Sequence, residues 1–399
     1  MKKLCVLFFG LLFFYPLFYA RAQESEEQKQ EEEEPKKASL NGYLKFLQTV
    51  QFEKVDDNWT TDNVFHNRLN FKWYPASSIT FTAELRTRLF YGETVRTFPQ
   101  YQELVDNDSG YLVDLSRIIS EGSSYFIHSG LDRLNLDWSA DKWQVRLGRQ
   151  RINWGQNFVW NPNDLFNAYS FFDFDYEERP GSDAALVRYY TGATSSIEFA
   201  TAFARNWEDY KIAAMYRWNK AKYDYQVLTG KVGTDYAVGA GWSGQIRTAG
   251  FKGEFTWLEP LNDFFSGNGG VVGSLSGDYT FESSLFLHSE IIYNSFAADI
   301  NLGNLGLNFL TESRSPKTLT FTKWSWFNEG AYQVTPLLKA GLYSIYNPVD
   351  RSVFLGPNAE LSISDNVYLL FLGQFFLGPR DSIYGGLGYF NYLRLKWSF

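Results

Sequence analysis

Cysteine, histidine and long apolar segments are scarce in this chain of 399 residues. The one cysteine is Cys5, and the histidines are His66, His128 and His288. After its first 22 residues the chain therefore has no disulfide or thiol chemistry, and its dispersed histidines do not suggest a metal site. The only continuous apolar run spans residues 4–20, and the mean hydropathy is mildly negative. A membrane protein built from apolar helices is therefore nearly excluded.

Aromatic residues, in contrast, are abundant. They make up 19% of the sequence, with 36 Phe, 26 Tyr and 13 Trp. So many large side chains exclude disorder for most of the chain, because they must be placed out of water. The sequence must therefore bury a large apolar surface without using a long apolar segment.

The amino terminus has the pattern of a secretory signal peptide. Lys2 and Lys3 precede the apolar run, which ends at the small-residue cleavage pattern Ala20-Arg21-Ala22. We therefore predict a cleaved signal peptide over residues 1–22. The alternative is an uncleaved anchor helix. It is less favoured because the run is short and contains Pro16.

Two further regions follow the predicted signal peptide. Residues 23–38 are rich in Glu and contain no aromatic residue, which predicts a solvated, disordered acidic leader. Residues 39–399 show one uniform sequence pattern and no linker, which predicts a single domain.

That domain consists of segments of about ten residues in which apolar and polar side chains alternate. In residues 79–89, for example, Phe81 and Leu85 fall on one face, whereas Glu84 and Arg86 fall on the other. Such alternation also fits a soluble sandwich or a lipocalin-like barrel. Aromatic residues near the strand ends, a polar opposite face and alternating short and long connections favour a membrane barrel.

We therefore predict an all-β fold, a transmembrane antiparallel β-barrel of the bacterial outer membrane with about 18 strands. The stretch 235–258 is the weakest part of this count, and 16 strands is the alternative. The alternating segment that ends at Phe399 resembles the carboxy-terminal signal of outer-membrane barrels. We expect as partners the barrel assembly machinery, through Phe399, together with outer-membrane lipid and lipopolysaccharide, but no nucleic acid. The oligomeric state stays open.

Catalytic motifs are missing from the sequence. Neither G-x-S-x-G nor H-E-x-x-H occurs. His288 and Glu290, on a shared strand face, are the one candidate pair for catalysis. An ordinary polar pair in the lumen is the favoured interpretation, and a hydrolase is the third and weakest functional hypothesis. We predict no enzymatic activity, no cofactor and no metal.

The predicted lumen face carries more basic than acidic residues, although the net charge is −8. A basic lumen favours the passage of anions, but the same residues could instead pair with acids across strands, and both alternatives stay open. The basic residues are Arg68, Lys72, Arg86, Arg88, Arg133, Arg146, Arg188, Lys211, Arg217, Lys252, Arg394 and Lys396. The acidic residues are Glu84, Asp137, Glu198, Asp224 and Glu254.

Residues 147–183 combine a basic strand end with a long Asn- and aromatic-rich loop. They resemble a region of outer-membrane barrels related to the alginate-export family, in which G-R-Q-x-x-x-W-G precedes P-x-D and R-P-G. The resemblance covers about 36 residues and implies a porin-like barrel in which this loop folds inward as a constriction. The matching residues are Gly148, Arg149, Gln150, Trp154, Gly155, Pro162, Asp164, Arg179, Pro180 and Gly181.

A surface hairpin is the alternative for this loop, but it would leave a costly aromatic patch in water. We therefore predict a constriction loop that includes Trp154, Trp160, Asn163 and Asp164. The arginines predicted to line the pore are Arg86, Arg88, Arg146, Arg149, Arg151, Arg179 and Arg188.

The first functional hypothesis is a porin-like channel for passive diffusion of small hydrophilic, preferably anionic, solutes, with acidic saccharides as one class. Aromatic faces suit sugar rings, and guanidinium groups suit carboxylates. The alternative is a non-conducting barrel that serves as an assembly or surface-binding component of an envelope complex. Its contact surface would be the long loops at 92–129 and 296–317.

Overall fold

The computed structural model describes residues 37–56, 59–107, 110–264, 267–299 and 315–399. The predicted signal peptide lies outside the described residues, as does the leader before residue 37. Within the described ranges, no helix has the length and hydropathy needed to cross a membrane.

Nineteen strands account for most of the described chain. They are β1 (Ala38–Phe52), β2 (Thr60–Ala76), β3 (Ile79–Gly92), β4 (Ser116–Glu121), β5 (Tyr125–Ala140), β6 (Trp143–Gln150), β7 (Ser182–Gly192), β8 (Ser195–Ala202), β9 (Lys211–Lys220), β10 (Tyr223–Val232), β11 (Asp235–Ile246), β12 (Ala249–Pro260), β13 (Gly270–Thr280), β14 (Leu285–Asn294), β15 (Trp324–Thr335), β16 (Leu338–Asn347), β17 (Ser352–Ser364), β18 (Val367–Leu377) and β19 (Tyr389–Ser398). Two short helices, α1 (Glu93–Thr97) and α2 (Tyr101–Val105), and 3₁₀ turns at Trp207–Asp209, Leu261–Asp263, Ser295–Asp299 and Pro316–Thr318 complete the elements.

Eighteen of these strands form one closed antiparallel ring. The ring runs from β1 to β3, continues with β5 to β19, and closes by pairing β19 with β1. The short β4 lies outside the ring order and pairs with β5. The predicted barrel of 18 strands is thus confirmed, and the doubtful stretch forms two separate strands, β11 and β12.

The connections divide the barrel into two ends. At one end, called here the short-turn end, two-residue turns such as 77–78, 141–142 and 247–248 join successive strands. The other end, called the long-loop end, carries most of the long connections, including 93–124 and 151–181. One connection there is short, the turn between β10 and β11. This asymmetry is typical of outer-membrane barrels.

Side chains alternate between the two faces of the wall because successive Cβ atoms in a strand point to opposite sides. On β2, Phe65 is 49% exposed on the outer face, whereas Arg68 is 0% exposed on the inner face. The outer face carries mostly apolar and aromatic side chains, and the inner face is largely polar.

A β-bulge interrupts this alternation in β5. Glu84 of β3 lies opposite Arg133, but the next residue, Leu85, lies opposite Leu131, so Asp132 is the extra residue. Asp132 and Arg133 are consequently both buried on the inner side. A bulge re-aims side chains in this way, and here it adds a carboxylate to the lumen.

Candidate functional site

The central feature of the lumen is the segment 151–181, called here the inner loop. It begins where β6 ends after eight residues, halfway along the longer β5. Gly148 of β6 has φ of +112°, and an added Cβ there would overlap the carbonyl oxygen of Leu134. This backbone conformation favours glycine, and β4 pairs with the half of β5 that β6 leaves unpaired.

Two wall carboxylates hold residues 154–163, called here the first arm of the inner loop. Glu254 of β12 accepts hydrogen bonds from the backbone N–H groups of Gln156 and Asn157, both at 2.9 Å, and of Asn163 at 2.8 Å. Glu254 and Glu290 of β14 are both buried, with exposed fractions of 1% and 0%. Buried loop backbone needs such acceptors, because an unpaired N–H group away from water is costly.

Glu290 of β14 is the second anchor of this arm. Its carboxylate accepts hydrogen bonds from the backbone N–H of Trp160 at 2.8 Å and of Val159 at 3.2 Å. On the other side of the arm, the indole N–H of Trp154 donates to Glu198 of β8 at 3.1 Å. The first arm is thus bonded to the inner wall from β8 to β14.

Residues 171–177, called here the second arm of the inner loop, lie along the remaining part of the wall. Phe171 and Phe172 pack edge-on against Phe354 of β17, with ring centroids 6.1 and 5.1 Å away. Further along, Asp175 forms an ion pair of 2.8 Å with Lys45 of β1, and Glu177 one of 2.6 Å with Lys396 of β19. The inner loop therefore contacts strands around most of the ring.

Arg68 of β2 links the end of the inner loop to the wall. Its guanidinium donates hydrogen bonds to Glu84 and Asp132 and lies 3.5 Å from Glu178 of the loop. Arg133 adds hydrogen bonds to the carbonyl oxygens of Glu178 and Arg179, at 2.7 and 2.8 Å. A buried guanidinium surrounded by carboxylates is the arrangement expected for a structural ion pair.

Three of the arginines predicted to line the pore are paired with acids on the lumen side. Each is held by a carboxylate on a neighbouring strand of the ring. The pairs are Arg86 with Asp132 at 3.3 Å, Arg146 with Asp137 at 2.6 Å, and Arg188 with Glu198 at 2.9 Å.

Arg149 lies apart from this set. By strand alternation it is on the same side of β6 as Leu147, which is 51% exposed on the outer face. Arg149 is nevertheless buried, because its guanidinium pairs with Asp183 at 2.8 Å and stacks 4.0 Å from the ring centroid of Tyr111. The structure thus places Arg149 in the wall behind the segment that precedes β4.

Arg88, Arg151 and Arg179 form no ion pair with a carboxylate in the part of the chain that the structure describes. Arg88 contacts the Nδ1 atom of His128 at 3.3 Å. The guanidinium carbons of Arg179 and Arg151 lie 3.0 and 6.0 Å from the ring centroid of Tyr169. Within the described ranges, Arg88 Nε, Arg151 Nε and Arg179 Nη1 are buried without a hydrogen-bond partner.

The four residues predicted for the constriction are all buried in the inner loop. Asn163 donates its side-chain N–H to the carbonyl oxygen of Ala240 at 3.0 Å, and Trp160 packs on Phe327 at 6.2 Å between centroids. Burial raises the pKa of the Asp164 carboxyl to about 6, and the positive charge of Arg151 opposes this shift.

Other inner-loop side chains remain exposed to the lumen. Asn153, Phe158 and Asp173 are exposed, and Phe158 lies 3.4 Å, measured from its ring centroid, from the ammonium of Lys252. Lys252 also lines a cavity of about 340 Å³ near the short-turn end. Asp224 and Asp278 line the same cavity.

His288 and Glu290, the candidate pair for hydrolysis, lie where Glu290 holds the inner loop. His288 Nε2 lies 3.5 Å from Glu290, and His288 Nδ1 lies 3.8 Å from Glu329. The ring also packs on Phe158 and Phe327. In the described residues, the contacts of His288 are with these acids and aromatic rings, and no cluster of three or more metal-ligating side chains is found.

Sequence reasoning placed Glu254 in the lumen but missed its role as a loop anchor, and it missed Asp132. A signal for Asp132 exists: Leu131, Leu134 and Leu136 show that the apolar spacing lengthens by one residue, as a bulge requires. For Glu254, the signal is a buried loop whose backbone must find acceptors on inward-facing strand positions.

No protein-family model and no curated protein matches this chain. Several solved structures do. OccAB4 of Acinetobacter baumannii has a TM-score of 0.56 at 11% identity, over 91% of this chain and 98% of that chain. OccAB1 of the same organism has a TM-score of 0.53 at 9% identity, over 91% and 96%. OccD3 (OpdP) of Pseudomonas aeruginosa has a TM-score of 0.52 at 10% identity, over 90% of each chain. At such identities the similarity establishes the fold, and with the closed ring of 18 strands it identifies a porin-like outer-membrane β-barrel.

Proposed function

We propose that the protein is a passive outer-membrane channel for small hydrophilic solutes, with a preference for anions. The observation that supports this most directly is the inner loop, which lies against the wall of a closed barrel and carries two guanidinium groups that form no ion pair with a carboxylate of the described ranges. Arg151 and Arg179 belong to the loop, and Arg88 faces the same lumen. These three would contribute strongly to the local positive field, because other basic side chains of the lumen, such as Arg68, Arg86 and Arg188, are paired with acids.

Acidic saccharides are the solute class that best fits this chemistry. Guanidinium groups bind carboxylates, and the ring of Phe158, which is 49% exposed, offers apolar surface that suits a sugar. The resemblance of residues 148–181 to barrels related to the alginate-export family bears on the architecture of the channel more than on this solute class.

Single-channel recording in planar bilayers tests this proposal. The wild-type protein should conduct, and its reversal potential in a KCl gradient should indicate a preference for chloride. Arg151→Gln with Arg179→Gln should reduce that preference several-fold. The matched control is Arg146→Gln combined with Asp137→Asn, because it removes an ion pair of the lumen without changing the net charge. Cation preference in the wild type, or equal effects of both changes, would contradict the anion proposal.

A second candidate function follows from β4. Among the described residues, this strand pairs with β5 and with no other strand, and Leu112, Val113 and Ile119 in and before it are exposed, at 44%, 49% and 60%. A free strand edge beside exposed apolar side chains suits the addition of a strand from a partner protein. Absence of conductance, together with a stable partner that is lost in Ile119→Pro, would favour this surface-binding function over the channel.

A further inference from the structure

The two anchors of the inner loop have an unusual charge environment. Glu254 is bonded to three backbone N–H groups, and Glu290 to two, all of them from the first arm of the loop. In the described residues, the one cationic group within ion-pair distance of either carboxylate is His288, 3.5 Å from Glu290. The loop backbone, rather than arginine or lysine, therefore compensates these two acids.

The surrounding wall offers little replacement for those N–H groups. Glu254 and Glu290 face the lumen from β12 and β14, with β13 between them. The inner face of β13 contributes Ser274 and Ser276, whose hydroxyls bond to Trp160 O and Asn157 of the loop. Lys252, the nearest wall lysine by strand position, is directed at the ring of Phe158. Without the first arm, the carboxylates would lie beside two cations of the wall, Lys252 and His288. Two further acids, Asp278 and Glu329, lie next to those cations, so this part of the wall carries more acidic than basic groups.

We infer that the inner loop masks an acidic patch, formed by Glu254 and Glu290, and that its withdrawal changes ion preference as well as pore width. With the loop in place, its arginines set the field and the two acids are hidden. With the first arm withdrawn, two carboxylates enter the water-filled lumen, and cations become the favoured ions. This inference rests on the proposed channel function and adds a second, cation-preferring state to it.

A truncated channel tests the inference. Residues 154–163 are replaced by a short Gly-Ser linker, in one version with Glu254 and Glu290 intact and in another with both changed to Gln. Both versions should conduct more than the wild type. Only the first should shift its reversal potential in a KCl gradient towards cation preference, by several-fold in permeability ratio. The matched control is the truncation combined with Glu329→Gln, a lumen carboxylate of β15 that does not bind the loop backbone, and it should keep the shift.

The outcomes separate this inference from the channel proposal. If the truncated channel conducts more and keeps the wild-type anion preference, the masking idea is wrong and the channel proposal stands. If neither the wild type nor any variant conducts, the channel proposal itself is wrong. Heat-modifiable migration in SDS gels reports whether each barrel is folded.

Should the truncation fail to fold, Glu290→Gln in the full-length chain provides the second test. It weakens one anchor and leaves Glu254 in the wall, so brief openings of higher conductance should prefer cations. The double change to Gln should give openings without that preference. Identical ion preference in the two variants would overturn the inference.

Discussion

At the scale of single residues, hydrogen bonds between wall carboxylates and loop amides determine how the lumen is organised. Hydrogen bonds to charged groups contribute about 1.5–3 kcal/mol each, and five such bonds join Glu254 and Glu290 to the inner loop. The same carboxylates would be destabilising in a dry wall without these donors. The inner loop and its anchors therefore stabilise each other.

Asp164 gives a prediction on pH at this scale. Burial raises the pKa of its carboxyl to about 6, above the value of about 3.9 for an unfolded chain. The folded loop therefore holds a proton that the unfolded chain releases. The associated stability is fully present below pH 4 and is lost as the pH rises through 6.

Above pH 6 the ionised Asp164 would also weaken the positive field of Arg151 and Arg179. We expect the anion preference of the channel to fall between pH 5 and pH 7.5, as measured by reversal potentials. Asp164→Asn should remove this change and keep the low-pH preference at pH 7.5. A pH dependence that is the same in Asp164→Asn would assign the effect to another titratable group.

At the scale of elements, the early end of β6 allows the inner loop to enter the barrel. The strand leaves the wall after Gln150, next to a glycine with positive φ, and β4 occupies the vacated half of β5. The sequence predicted the start of β6 and the long connection that follows. It did not predict β4, because six residues with mixed polarity give no clear alternating signal.

Gly148→Ala tests this arrangement. The added Cβ would overlap the carbonyl oxygen of Leu134, and φ of +112° is strained for alanine. We expect a loss of about 1–3 kcal/mol, seen as a lower temperature for the shift from folded to unfolded mobility in SDS gels. Gly277→Ala is the control, because φ at Gly277 is not in the positive region and the nearest atom lies 3.6 Å from its added Cβ. Equal melting of the two variants would contradict the assigned role of Gly148.

At the scale of the whole molecule, Arg68 joins the ring of strands to the inner loop. It connects β2, β3, β5 and the inner loop through Glu84, Asp132 and Glu178. Replacing it removes the ion-pair partner of Glu84 and Glu178 and leaves Asp132 with Arg86 alone among the described residues. Breaking such a buried pair typically costs about 3–5 kcal/mol.

We therefore expect Arg68→Met to lower the unfolding midpoint in urea and to increase conductance noise by loosening the end of the inner loop. Lys72→Met, on the same face of β2 but exposed, should have little effect on either measurement. An Arg68→Met channel with an unchanged urea midpoint and unchanged conductance noise would show that Arg68 is not needed to hold the inner loop.

The sequence by itself determined the wall of this barrel. Alternation with period two assigns each strand residue to one face, so the ring of 18 strands and the inward position of Arg68, Arg86 and Glu254 follow from local pattern. The tertiary structure alone decided which lumen charges remain unpaired. Their partners come from residues far apart in the chain, as with Lys45 and Asp175 or Glu254 and Asn163. Strand periodicity assigns faces within a segment, but the path of an irregular loop through the lumen depends on contacts between segments, which no local pattern encodes.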